Sequence, residues 1–190
     1  MFAQIDGSIE MRLLESQHAE ALDHLDPGDL THSQGEWLFT PGQGQAANLI
    51  SKSLAEFRAG TGLRVGIWVG EVLVGTASLN EIDQRKRSAG LGYALAGPYR
   101  GRGIMTEACR ALISHGFSSL KLNRITIIAD PRNIPSCAIA ERLGFTREGL
   151  LRELWKSESG WGDGALYSIL AREWKCEAGR AARSVLRITA

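Results

Sequence analysis

Residues 91–117 read LGYALAGPYRGRGIMTEACRALISHGF, and this stretch decides the fold. A strand-like segment runs into the turn Arg100-Gly101-Arg102-Gly103, and a long amphipathic helix follows. A glycine turn of this kind leaves several backbone N–H groups unpaired at a helix start. The helix dipole adds positive potential there, and the combination holds phosphate oxygens without a dedicated side chain. Gly101 and Gly103 suit that task because a Cβ would keep a bulky anion off the backbone. On these residues alone a plain structural turn is an equal reading, since loops often carry Gly-x-Gly for geometry.

The segments that follow change the balance. LNRITIIAD (122–130) reads as a strand, then come Pro131-Arg132-Asn133-Ile134-Pro135-Ser136 and a short helix ending at Leu143-Gly144-Phe145. In this order the motifs resemble the GNAT N-acetyltransferase superfamily, and within it the branch of ribosomal-protein N-terminal (serine/alanine) acetyltransferases. The resemblance runs from about Ile9 to about Lys175 and includes Gly66-Ile67-Trp68, Gly92-Tyr93 and Gly162-Asp163…Tyr167-Ser168. It implies an enzyme that moves an acetyl group from acetyl-CoA to a primary amine. It also implies the GNAT acyl-CoA N-acyltransferase fold, an α/β mixed sheet of about seven strands with helices on both faces.

Periodicity gives a matching order of elements. A first strand covers 8–14, and Ser16 is the expected cap of a helix through Ala19, Leu22 and Leu25 that ends before Pro27-Gly28. The segment 31–45 is rich in Gly, Gln, Pro and Ser, and a helix at about 45–59 stops at Gly60. Strands follow at about 63–69 and 72–80, a polar loop at Glu81–Arg87, and a strand at 88–96. Helix 103–119 stacks Ile104, Ala108 and Leu112 on one stripe with Met105, Cys109 and Ile113 beside it. Strand 122–129, helix 134–143 and strands near 146–156 and 164–172 complete a single domain over 1–175. The tail 176–190 lies beyond the resemblance. Its Arg180, Arg183 and Arg187 suit a short helix, either frayed or forming an interface such as that of a homodimer.

Composition narrows the partners. The 190 residues suit one domain, and 22 basic against 21 acidic residues give a net charge of +1. No strong field steers such a chain onto nucleic acid or an anionic membrane. No apolar run approaches bilayer length, and nothing at the N-terminus reads as a signal peptide. Cys109, Cys137 and Cys176 are odd in number and widely spaced, as expected of a reduced cytoplasmic protein. The four histidines are scattered and no metal-ligand cluster appears.

Acyl transfer from a thioester to an amine requires a held cofactor, a polarised carbonyl, a neutral amine and a protonated leaving thiolate. The resemblance assigns the pyrophosphate to the backbone of Arg100, Gly101, Arg102, Gly103, Ile104, Met105 and Thr106. It assigns the pantetheine arm to Leu95 and Ala96, whose strand end would present an N–H to the thioester oxygen. Asn133 would fix the pantetheine at the strand–helix junction, though a turn or cap role is open to it. The family's tyrosine seven residues later is Ala140 here, so Ser136 becomes the candidate acid, against a plain N-terminal helix serine. Pro98 replaces the first residue of the family's turn pattern. The acidic residue that related chains carry before Gly-Tyr is replaced by Gly90-Leu91. Glu81 and Asp83 are then the acids to consider near the groove, although a residue so placed is more often a solvated loop charge. Trp37 and Tyr167 are the remaining candidates for the acceptor groove.

A missing base bears on the acceptor. At pH 7 an α-amine of pKa about 8 is about one-tenth neutral, whereas a lysine amine of pKa about 10.4 is neutral about once in 2,500. A protein or peptide N-terminus is therefore the expected acceptor, with a small-molecule amine such as an antibiotic or metabolite as the alternative. A catalytically silent CoA-binding module is the reading from another class. A dinucleotide-binding domain fits poorly, because the βαβ repeat expected around Gly-x-Gly-x-x-Gly is missing.

Overall fold

Alternating residues give the middle strands two unlike faces, and the helices sort accordingly. The computed structural model describes residues 9–25, 45–157, 160–175 and 184–187. Its strands are β1 (Ile9–Leu13), β2 (Leu63–Val69), β3 (Val72–Asp83), β4 (Ser88–Leu95), β5 (Arg124–Ala129), β6 (Thr146–Ser157), β7 (Gly160–Leu170) and β8 (Ser184–Arg187). Its helices are α1 (Ala19–Asp23), α2 (Ala46–Ala59), α3 (Ile104–Ser118) and α4 (Ile134–Arg142). The strands form one sheet in the order β6-β7-β5-β4-β3-β2-β1-β8. The β4–β5 and β1–β8 pairs are parallel and the other pairs antiparallel.

One face is apolar. Leu63, Val65 and Ile67 of β2, Ala77 and Leu79 of β3, and Leu91 and Leu95 of β4 pack with Ile104, Ala108, Leu112 and Ile113 of α3 and Ala140 of α4. Burying a side chain such as Leu112 stabilises the fold by roughly 1.5–3 kcal/mol. The opposite face carries the smaller cluster of Leu14, Leu22, Ile50, Trp68 and Leu73 under α1 and α2. Beyond that cluster it is polar or bare. Strand alternation places Arg12, Arg64, Thr76, Ser78, Asn80, Gly90, Gly92 and Thr126 there. Gly92 keeps that row clear, because a Cβ would come within 2.9 Å of Asn80 Nδ2 and 3.1 Å of Ser78 Oγ and push those side chains aside.

Three details differ from the sequence reading. Glu15, not Ser16, caps the first turn. Its carbonyl accepts the His18 N–H at 2.9 Å, its own N–H donates to His18 Nδ1 at 2.9 Å, and a 3-10 turn at Ser16–His18 precedes α1. β3 runs on to Asp83 through a bulge, because Asp83 Oδ1 accepts the Arg85 and Lys86 N–H groups at 2.9 and 2.8 Å and closes the hairpin tightly. In the tail, Ser184–Arg187 forms a strand against β1 rather than a helix, adding an eighth strand to the expected seven. Arg180 and Arg183 lie outside the described residues, as do most of segment 31–45 and Trp37.

Candidate active site

The parallel seam in the middle of the sheet opens into a fork. Among the described residues β4 pairs with β5 at Ser88–Arg124, Ala89–Ile125 and Gly90–Thr126 and no further. β4 then stays with β3 as far as Leu95, and β5 stays with β7 as far as Ala129. Ala96 donates to the Val74 carbonyl at 2.8 Å. By the two-residue period of an antiparallel ladder, Gly90, Gly92 and Ala94 therefore turn their N–H and C=O toward β3. Leu91, Tyr93 and Leu95 turn theirs into the fork, where an extended amide-bearing chain can pair with them. The expectation for the strand end is thereby narrowed. Ala96's N–H is committed to β3, and the amide facing the fork is Leu95's. Leu95's carbonyl accepts from Arg100 Nε at 3.1 Å, which ties the turn to the strand end.

The turn beside the fork has open backbone. Gly101 and Gly103 sit at φ 73° and 82°, a region that strongly favours glycine. Gly103 caps α3 without any side-chain bond, and Glu107 is the first residue to donate back, to the Gly103 carbonyl at 3.1 Å. The N–H groups of residues 101–106 make no backbone bond among the described residues. No atom lies within 4 Å of where a Cβ on Gly103 would sit, so the turn walls an open cradle. Arg102 lies over the Tyr99 ring at 5.6 Å. Arg142 at the end of α4 donates to Thr106 Oγ1 at 3.1 Å, which places a third guanidinium at this helix start.

Two hydroxyls close the other side of the fork. Asn133 caps α4, its Oδ1 accepting the Ser136 N–H at 3.1 Å. Ser136 Oγ then lies 2.9 Å from the Tyr93 hydroxyl, which also reaches the Ser136 carbonyl at 3.3 Å. Burial, with Cys109 as a lesser cause, pushes the Tyr93 phenol well above its ordinary pKa, so it stays protonated. A protonated phenol donating to Oγ leaves the serine proton free to point into the fork.

Three carboxylates near the fork, Glu148, Asp83 and Asp163, are bound to other groups. Glu148 is bonded by Arg124, with one contact at 2.9 Å, and by Ser168 Oγ at 2.7 Å; these two hold its pKa down to about 2. Asp83 serves the hairpin turn and pairs with Lys86 at 3.2 Å, and the turn's backbone bonds lower its pKa. Asp163 Oδ1 accepts the Glu153 N–H at 2.8 Å and shapes the β6–β7 ladder. Glu81 is exposed at the bulge. Tyr167 is buried on the α3/α4 face with the apolar core, away from the groove on the opposite face. The structure therefore gathers Leu95, residues 100–106, Asn133 and Ser136 around the fork. Asp83 and Tyr167 have structural partners elsewhere. Tyr93, Arg142 and Glu148 were not singled out from the sequence, although Gly92-Tyr93 stands among the resembling motifs.

A forked mixed sheet with an open glycine turn beside it fits the N-acyltransferase fold whose motifs the sequence resembles. The family model described as "Acetyltransferase (GNAT) domain" matches residues 8–146, and the chain belongs to this family and is an N-acetyltransferase. It is 34% identical over 182 residues to the putative ribosomal N-acetyltransferase YdaF of Bacillus subtilis, an alignment covering 92% of this chain and 97% of that one. It is 26% identical to the ribosomal-protein-serine acetyltransferase of Escherichia coli, over 87% of this chain and 94% of the relative. Among solved structures, Mycobacterium smegmatis RimJ in complex with CoA-disulfide superposes with a TM-score of 0.78 at 28% identity, covering 93% of this chain and 88% of that one. Among the described residues no helix is long and apolar enough to cross a membrane, and no group of three His, Cys, Asp or Glu side chains could hold a metal.

Proposed function

We propose that this enzyme acetylates the α-amine of a protein or peptide N-terminus, with acetyl-CoA as donor. The observation that carries the reading is that Glu148 and Asp83 are bound to other groups, while Glu81 stands exposed at the bulge. Glu148 is held at a pKa of about 2, too weak a base to deprotonate an ammonium, and Asp83 is bound into its turn. The acceptor face offers instead Ser78, Asn80 and Thr126, which orient an amine but take no proton from it. An acceptor must then arrive neutral, and α-amines do so about two-hundredfold more often than lysine side chains at pH 7. YdaF is named a putative ribosomal N-acetyltransferase and the E. coli relative a ribosomal-protein-serine acetyltransferase, which supports a protein acceptor.

The cofactor supplies an acetyl group activated as a thioester. The N–H groups of residues 101–106 and the guanidiniums of Arg102 and Arg142 would hold its phosphates, and the fork edge of Leu91, Tyr93 and Leu95 its pantetheine amides. Leu95's N–H would polarise the thioester carbonyl. As the new C–N bond forms and the C–S bond breaks, the amine gives a proton to water. Ser136 would deliver a proton to sulfur while the Tyr93 hydroxyl holds its Oγ, and solvent, which received the amine's proton, would return one to Ser136. Mass spectrometry of a peptide with both a free N-terminus and a lysine tests the reading. Acetylation at the α-position, with a rate that rises with pH along the α-amine's titration, is the expected result. Predominant ε-acetylation refutes it.

A further inference from the structure

Two arginines on the groove face make no ion pair among the described residues. Arg12 of β1 pairs in register with Gly66, and Arg64 lies two residues before Gly66 on the same strand, so the two are diagonal neighbours on one face. The Nε atoms of both are buried without a hydrogen-bond partner. Among the described residues no carboxylate approaches either guanidinium within 4.0 Å. Arg12 is partly compensated, because its guanidinium sits 4.3 Å from the centroid of Trp68. Arg64 has no such ring. Burial lowers its pKa, opposed only by the more distant charge of Glu56 on α2, which has Lys52 at 3.9 Å. Proteins seldom leave a partly buried guanidinium unpaired, because its desolvation is then uncompensated.

The register shows where this charge lies relative to the chemistry. Arg64 pairs across β2–β3 with Ser78, and Ser78 pairs across β3–β4 with Gly92. The Arg64 and Gly92 backbones are thus about 10 Å apart along one row, from two strand spacings. Between them on this row stands only the small, buried side chain of Ser78, so no bulky group separates the two. Leu95 lies three residues further along β4, so its backbone is about 14 Å from that of Arg64, a distance that about three extended residues at about 3.3–3.6 Å each cover together with the two side chains.

We propose that the groove contains an anion subsite, formed by Arg64 with Arg12 beside it, that receives a side-chain carboxylate within about three residues of the acceptor's reacting amine. The inference rests on reading this groove as the site of an α-amine acceptor. It adds a preference that the chemistry at the fork does not itself require.

Two C-terminally amidated peptides with free N-termini, identical except for Glu or Gln at the third position, provide the test. The expected kcat/KM favours the Glu peptide by about tenfold or more, as befits a charge-assisted contact, with the difference in KM. Calorimetry with CoA present should show the same ratio in binding. In Arg64→Met, which keeps bulk and loses charge, the ratio of Glu to Gln peptide should fall to about one. Its melting temperature should be unchanged or higher, since an uncompensated charge has been removed. A purely structural Arg64 would give the reverse, a lower melting temperature with the ratio kept, and that result overturns the proposal. So does a native enzyme that acetylates both peptides equally, which leaves the α-amine reading standing. Failure to bind or acetylate either peptide overturns both.

Discussion

Replacing Tyr93 with Phe removes one oxygen and little else, and the structure gives the consequence in numbers. The lost bond is the 2.9 Å contact to Ser136 Oγ, with the 3.3 Å contact to its carbonyl. A net intramolecular hydrogen bond contributes about 0.5–1.5 kcal/mol, so Tyr93→Phe should lower the melting temperature by only a few degrees. The effect on rate should exceed that on stability. Without the phenol, Ser136's hydroxyl can rotate toward other acceptors, and misaligning the proton donor by about 1.4 kcal/mol slows turnover about tenfold. Ser136→Ala removes the donor itself and should slow turnover by about 10²–10⁴-fold. Because Tyr93 acts through Ser136, the double variant should be no slower than Ser136→Ala alone, within about twofold. The assay is release of free CoA thiol at saturating substrates, with calorimetric binding of CoA as a control. If the two substitutions multiply, Tyr93 acts independently of Ser136. If Tyr93→Phe keeps the native kcat, the hydroxyl pair plays no part in the reaction.

Gly103→Val should abolish measurable CoA affinity, since the branched side chain would fill the open cradle beside the helix start. It should also cost about 1–2 kcal/mol of stability for a β-branched residue at φ 82°; calorimetry on folded protein showing unchanged affinity would refute the phosphate assignment. Glu148→Gln should lower the melting temperature at pH 7 by a small amount, because the Arg124 pair is partly exposed and worth under about 1 kcal/mol. Glu148's folded pKa is depressed to about 2, so its stabilisation is present above its ordinary value near 4.5 and lost as pH falls toward about 2. The melting-temperature difference between native and variant should shrink over that window, and a constant difference would argue against the ion pair as its source.

Most of the fold was legible because it is written in local periods. The alternation of Leu63, Val65 and Ile67 and the stripe of Ile104, Ala108 and Leu112 name their own elements, and each carries its burial with it. The errors arose where a side chain overrode a propensity. Ser16 is a better cap than Glu15 in isolation, yet the reciprocal bonds of Glu15 and His18 decide the turn. Likewise, Asp83 bonding to Arg85 and Lys86 draws a polar stretch that reads as loop into the end of β3. Of the site, the parts contiguous in sequence could be placed, namely the strand end at Leu95, the glycine turn and the Asn133–Ser136 cap.

The rest of the site is made of relations between distant residues, for which sequence has no local signal. The fork exists because β5 follows β7 while β4 follows β3, a divergence that neither strand's own residues announce. Tyr93 meets Ser136 across 43 residues of chain, and Arg142 meets Thr106 across 36. The same divergence explains how one sheet serves two chemistries. Odd residues of β4 put large apolar or aromatic side chains toward α3 and α4 and their peptide groups into the fork. Even residues are Gly90, Gly92 and Ala94, which keep the opposite face open for an acceptor. Cofactor and amine can therefore approach the same stretch of β4, the one along its peptide edge and the other over its bare face. A larger residue at Gly92 would strike Asn80 and Ser78 and close that face, while leaving the fork's peptide edge untouched.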